Sequence, residues 1–171
     1  KTPVTITLDL NVLLDVFQKR EPHYAASAQV LALVVSAQVT GVFPSHGFTT
    51  LYYLVRKHAS KPHAEAAMDR LLDHLQIGNL DADGWREARR LEFEDFEDAV
   101  VAVVAKKHRS DFIISRNVDD FAHSPVPVIT PTDFLIEFPL KINSSFCKEV
   151  AVMPADGFLP KKTCTGASSH S

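Results

Sequence analysis

Asp9, Asn11, Asp98, Asn117 and Asp120 could gather into one acidic site. All five offer side-chain oxygen, and oxygen-only ligand sets suit Mg2+ or Mn2+ rather than Zn2+. Asp9 directly follows the apolar, β-branched run Val4 to Leu8. A carboxylate delivered to the end of a buried strand carries a desolvation cost unless a cation or hydrogen-bond donors meet it. Capping of the next helix is the competing reading of Asp9. Asp98 closes an acidic run of Glu92, Glu94, Asp95 and Glu97 and opens the apolar run Ala99-Val100-Val101-Ala102. Acids at a helix N-terminus meet the dipole favourably, so capping accounts for some of them. Asp95 is a natural N-cap, and Asp98 stands where a capping-box acid would. The apolar run also places Asp98 at the buried edge of its helix. The third segment is Ile113-Ile114-Ser115-Arg116-Asn117-Val118-Asp119-Asp120-Phe121. Its bland reading is a polar turn, because Asn and Asp are favoured there. Repetition argues for a site: two strand ends and one helix start each present oxygen.

Strands and helices must alternate to bring those segments together. The patterns predict strands at Val4–Leu8, Val39–Phe43, Gln76–Leu80, Phe112–Ser115 and Pro125–Thr130. Helices are expected over Asn11–Phe17, from Pro22 to Val35, and after a Ser45 cap through Phe48, Leu51, Tyr52 and Val55. Ser60 opens another, with Ala64, Ala67, Met68, Leu71, Leu72 and Leu75 on its apolar face. Asp81 caps a helix containing Trp85 and Leu91, Asp95–His108 is a further helix, and Pro131 starts the last. Such alternation argues for an α/β fold, a parallel sheet with helices on both faces. Ligands in these folds sit beyond the carboxyl ends of the strands.

With 171 residues, the chain suits one domain with a sizeable core. We read that domain as residues 1–140, and 141–171 as a tail with little fold of its own. At 46% apolar and 23% charged residues, the composition is that of a globular protein, not a disordered one. The net charge of −3 supplies no global basic field, so contact with nucleic acid would need a local patch. Cys147 and Cys164 form no CxxC pair and suggest neither a disulfide framework nor a zinc site. No apolar run approaches the ~18 residues of a membrane span, and no signal-peptide pattern opens the chain. A cytoplasmic protein with no membrane contact is the expectation. The eight histidines show no HExxH or HxH spacing, although His46 follows a strand end and could approach the site.

The order of these motifs resembles a PIN domain. The resemblance rests on strand-Asp9-x-Asn11, on Asp95-Phe96-Glu97-Asp98-Ala99 at a helix start, and on Ser115-Arg116-Asn117-Val118-Asp119-Asp120-Phe121 after a strand. The ending Pro125-Val126-Pro127-Val128-Ile129-Thr130-Pro131-Thr132-Asp133-Phe134-Leu135 is similar as well. It spans roughly Val4 to Phe138, and within the family it is similar to the VapC-like toxins of bacterial type II toxin–antitoxin pairs. The resemblance implies a three-layer α/β/α fold around a central parallel sheet, and Mg2+- or Mn2+-dependent cleavage of RNA. By position, Asp9, Asp98 and Asp120 would hold metal, and Asn117 would join them in catalysis. Asn11, Ser115 and Arg116 would meet substrate, with Asp119 nearby. A homodimer and an antitoxin partner are further implications. The family's usual glutamate on the helix after the second strand falls near Thr50, and no acid stands from Ser45 to Arg56.

Positive charge for an RNA strand could come from Arg56, Lys57, Lys61, Lys106, Lys107, Arg109 or, above all, Arg116. Tyr52 and Tyr53 read as core or dimer-interface residues. Two other readings compete with the ribonuclease. One is a PIN-like binding module that lost activity with the missing acid. The other is a phosphatase with Asp9 as nucleophile, which wants a second aspartate where Asn11 stands.

Overall fold

The computed structural model describes residues 2–141. Apart from Lys141, the expected tail, with Cys147, Cys164 and His170, lies outside the described residues. The first half runs β1 (Thr5–Leu8), α1 (Leu10–Phe17), α2 (Tyr24–Val35), β2 (Thr40–Pro44), α3 (His46–His58), α4 (Lys61–His74) and β3 (Leu75–Gly78). The second half runs α5 (Ala82–Arg90), α6 (Phe96–Lys107), β4 (Phe112–Ile114), a 3-10 turn (Val118–Phe121), β5 (Val128–Ile129) and α7 (Pro131–Glu137). The strands form one five-stranded sheet in the order β3-β2-β1-β4-β5. Every pairing in it is parallel.

Alternation along the strands builds the layers. Ile6 and Leu8 of β1, Phe43 of β2 and Ile114 of β4 pack with α1, α2, α3, α4 and α7 in one core. Val42 faces the other way, toward Ala88 of α5 and Val100, Val103 and Val104 of α6. Ile113 does the same, beside Val101, Ala105 and Phe121. Neighbouring residues of a strand point to opposite faces, so each strand feeds both cores. The result is a three-layer α/β/α fold. Seven consecutive residues of α6, Ala99 to Ala105, are buried. Burying each valine there contributes about 1.5–3 kcal/mol, which fixes α6 firmly against the sheet. Gly78 marks a close approach: a Cβ built on it would lie 2.3 Å from Val104 Cγ1.

Several boundaries differ from the sequence expectation. Pro22 precedes α2 in a turn rather than opening the helix. β3 starts at Leu75, because α4 runs straight into it, so Leu75 is a strand residue and Leu72 is exposed. β5 is only Val128–Ile129, where Pro125 and Pro127 offer no N–H to a ladder. Ser45 makes no side-chain cap on α3; its N–H donates to Gly78 O at 2.9 Å. The other expected caps form, with Ser60 accepting from His63 N–H, Asp81 from Gly84 N–H and Asp95 from Glu97 N–H.

The strand order contains a reversal. Successive strands add outward from β1 through β2 to β3, and the chain then returns to lay β4 on the other side of β1. The crevice at such a switch, beyond the carboxyl ends of the strands, is where open α/β sheets bind ligands. The register Leu8↔Ile114 puts the ends of β1 and β4 side by side there.

Candidate active site

Asp9 and Ser115 are the residues that follow those two paired strand ends. Asp9 N–H donates to Ile114 O at 3.0 Å, so the ladder continues to the carboxylate itself. Ser115 Oγ donates to Asp9 Oδ2 at 2.8 Å, and both side chains are buried. Asn117 N–H donates in turn to Ser115 Oγ at 3.1 Å. Asp9 occupies the N-cap position of α1 but makes no side-chain capping bond. The capping reading of Asp9 therefore fails, and its carboxylate is held by the neighbouring strand end instead. Burial pushes the Asp9 carboxyl above its ordinary range, and Glu97 adds to the rise; Ser115, the Leu10 N–H and Arg116 pull against it.

Asp98 arrives from the first turn of α6, half-buried, and its carboxyl is pushed up to about 7. Burial is the largest cause, followed by the charges of Asp9, Asp95, Asp120 and Glu97. Asp9, Asp98 and Asp120 thus share one electrostatic neighbourhood. Asp120 lies exposed on the 3-10 turn, which hangs from Asn117: Asp120 N–H donates to Asn117 O at 3.1 Å. A cleft of about 710 Å3 opens here, with Asp98, Asp119 and Asp120 on its walls beside Phe93, Phe96 and His123. Asp9 does not line this cleft; its link to the cleft is through the charge it exerts on Asp98. Asn11 stands half-buried on the first turn of α1.

Among the described residues, no three His, Cys, Asp or Glu side chains stand close enough together to ligate an ion directly. The chemistry of the donor set still fits a divalent cation. Mutually repelling carboxylates call for positive charge, and Mg2+ keeps several waters and needs only one or two protein carboxylates.

Arg116 turns to Asp15, its Nε 2.9 Å from Asp15 Oδ2. The N–H is not aimed along that contact, so the two groups form an ion pair rather than a directed hydrogen bond. Asp15 is fully buried on α1 and accepts from Ser27 Oγ at 3.2 Å. Burial raises its carboxyl, and Arg116 offsets part of that. Part of the Arg116 charge is thus engaged inside the protein. Other expected cations are paired too: Lys61 with Glu65 at 3.6 Å, Lys107 with Asp81 at 3.4 Å, and Lys106 with Glu87.

Two residues were assigned no definite role by sequence reasoning. Glu97 read as part of a helix-capping run, yet its charge raises both Asp9 and Asp98. His46 of α3 reaches toward it, Nε2 to Oε1 at 3.7 Å. Burial lowers the His46 pKa, and Asp9 raises it. Thr50, where the missing acid was expected, is exposed one turn further along α3. Helical spacing puts His46 and Thr50 on the same side of α3, in line with the approach to the site that its place after a strand end suggests.

An acidic crevice at the switch point of a parallel α/β/α sheet defines a class of ligand-binding fold, and the sequence places the chain within it more narrowly. The PIN domain profile matches residues 5–119. The chain belongs to the PIN domain family. It is 25% identical over 133 residues to a protein named ribonuclease VapC1 from Aquifex aeolicus (strain VF5), covering 75% of this chain and 92% of that one. Solved structures share the fold. The VapBC2 complex of Rickettsia felis, bound to a DNA fragment from its promoter, contains a chain with a TM-score of 0.55 at 18% identity; the match covers 74% of this chain and 98% of that one. A toxin–antitoxin complex from Klebsiella pneumoniae gives 0.57 at 24% identity, covering 74% and 97%. FitAcB from Neisseria gonorrhoeae gives 0.55 at 16% identity, covering 74% and 98%.

Proposed function

We propose that this chain is a metal-dependent endoribonuclease, the toxin of a type II toxin–antitoxin pair. One observation carries the reading: beside the switch point, burial and the charges of Asp9, Asp95, Asp120 and Glu97 push the Asp98 carboxyl up to about 7, an acidic setting that suits a cation. The family, and the similarity to a protein named as a VapC ribonuclease, support RNA as the substrate. Neighbours solved as toxin–antitoxin complexes support an antitoxin partner. Cellular RNA as substrate makes the cytoplasm the place of action. Among the described residues, no helix is long and apolar enough to cross a membrane.

Asp9, Asp98 and Asp120 would hold Mg2+ or Mn2+. Once bound, such an ion acidifies water and offsets negative charge on a phosphodiester under attack. Ser115 holds the Asp9 carboxylate through Oδ2, which would orient it as a ligand. Asp98 would have to be ionised to act as a ligand, and its raised carboxyl makes that step pH-dependent. Asn117 holds the 3-10 turn that carries Asp120, and its amide, with that of Asn11, is free to orient the sugar–phosphate chain. Arg116, braced by Asp15, sets positive charge beneath the strand and lowers the Asp9 pKa.

The absence of an acid at Thr50 favours a second reading, a PIN-like binding module without activity. Hydrolysis of single-stranded RNA with Mg2+ or Mn2+, run beside Asp98→Asn, separates the two. Cleavage by the native chain that is lost in the variant supports the enzyme. Cleavage surviving in the variant overturns the site. Metal binding with no cleavage in either points to the binding module.

A further inference from the structure

Large aromatic rings are usually buried, yet Trp85 is 40% exposed and Phe96 is 44% exposed. The two meet, ring centroids 6.0 Å apart and tilted by 41°. His46 stands edge-on to Trp85, centroids 6.4 Å apart. The patch therefore joins three elements: α3 through His46, α5 through Trp85 and α6 through Phe96. The buried residues of α5 are Gly84 and Ala88, and Ala88 packs with Val100, Val103 and Val104 of α6, so the Trp85 ring is left half outside that core.

Its position connects it to the carboxylates. Phe96 precedes Glu97 and Asp98 in the chain and lines the cleft that holds Asp98, Asp119 and Asp120. Phe96 also lines a second cleft, of about 370 Å3, that contains Arg89. Arg89 lies one turn beyond Trp85 on α5. His46 leads back from Trp85 to Glu97, with Nε2 3.7 Å from Oε1. Aromatic surface thus lies beside the acidic cleft, and Phe96 shares a second cleft with Arg89.

We infer that Trp85 and Phe96, with His46 at their edge, form a stacking subsite for a base of single-stranded RNA next to the carboxylate centre. The inference rests on the ribonuclease reading and deepens it. Bases have flat π-faces that stack on aromatic rings regardless of sequence. A docked amphipathic helix would need a longer row of apolar anchors. Here Trp85 is flanked along α5 by Arg86 and Arg89, and Phe96 by Asp95 and Glu97. Two rings ringed by charge suit one planar base rather than a helix face.

Trp85 is the chain's one tryptophan, so its fluorescence reports the subsite directly. The full-length chain, bearing Asp98→Asn to prevent turnover, is titrated with a single-stranded RNA oligonucleotide. A strand of equal length with abasic positions is the control. Quenching by the base-bearing strand and none by the abasic one is expected. Trp85→Ala in the otherwise native chain should raise KM for RNA about tenfold with kcat unchanged, and Trp85→Phe should restore most of it. Equal quenching by both strands overturns the inference. So does RNA cleavage with no fluorescence response and an unaltered KM in Trp85→Ala; the ribonuclease reading would stand, and the patch would pass to a protein partner. Absence of cleavage by the native chain sinks the ribonuclease reading instead, whatever Trp85 reports.

Discussion

Metal loading should be coupled to the proton held on Asp98. In the metal-free protein its carboxyl is pushed up to about 7, from an ordinary 3.8, by burial and then by Asp9, Asp95, Asp120 and Glu97. The sign follows from linkage. Between about 4 and about 7 the folded protein keeps a proton that the unfolded chain has released, so this group favours the metal-free fold at low pH and ceases to as pH rises through 7. A divalent cation competes with the same proton. At pH 6 about ten molecules are protonated for each one ionised, which lowers apparent Mn2+ affinity about tenfold below its plateau. Above pH 8 the affinity should level off. Isothermal titration with Mn2+ from pH 5.5 to 8.5, in buffers of different ionisation enthalpy, gives the affinity and the protons released. Asp98 is expected to contribute close to one proton per ion at pH 6 and close to none at pH 8.5, a share read as the difference between the native chain and Asp98→Asn. Glu97→Gln removes one of the repelling charges and should move the titrating limb to lower pH. Affinity independent of pH across that range, or an unchanged limb in Asp98→Asn, would refute the reasoning.

Three further outcomes follow from the packing around the site. Ser115→Ala removes a buried hydrogen bond to a carboxylate and should cost about 1.5–3 kcal/mol by urea unfolding, with the Asp9 pKa rising further by NMR. Gly78→Ala drives a Cβ to 2.3 Å from Val104 Cγ1 and 3.3 Å from Val42 Cγ1, and should cost about 1–3 kcal/mol, seen as a lower Tm in calorimetry. Thr50→Glu adds an acid on the side of α3 that carries His46, and should tighten Mn2+ binding several-fold while leaving the circular dichroism spectrum unchanged.

How much of this was legible before folding depends on range along the chain. The Val4–Leu8 strand and its terminal Asp9 are local patterns, and they were readable. So were the Asp95 cap and the apolar run of α6. The pairing of Asp9 with Ser115 was not, because it joins residues 106 positions apart through the Leu8↔Ile114 register. Glu97 looked like one more acid greeting a helix dipole; only the crossing of α6 over the sheet brings its charge to Asp9. Arg116 looked free for substrate because its sequence neighbours are polar, while its nearest opposite charge, Asp15, lies on α1. Asp15 itself, a charge in an amphipathic helix, gave no local sign that it would be fully buried. Pro125 and Pro127, which have no N–H to give a ladder, cut the expected Pro125–Thr130 strand down to Val128–Ile129.

Anomalous scattering from crystals of the full chain grown with Mn2+ tests the acidic centre most directly. A peak is expected within coordination distance of Asp9, Asp98 or Asp120, in the crevice between β1 and β4, and it should vanish in Asp98→Asn. An ordered Mn2+ bound only elsewhere, or a peak at the same place undiminished in the variant, would contradict a cation site built from these carboxylates.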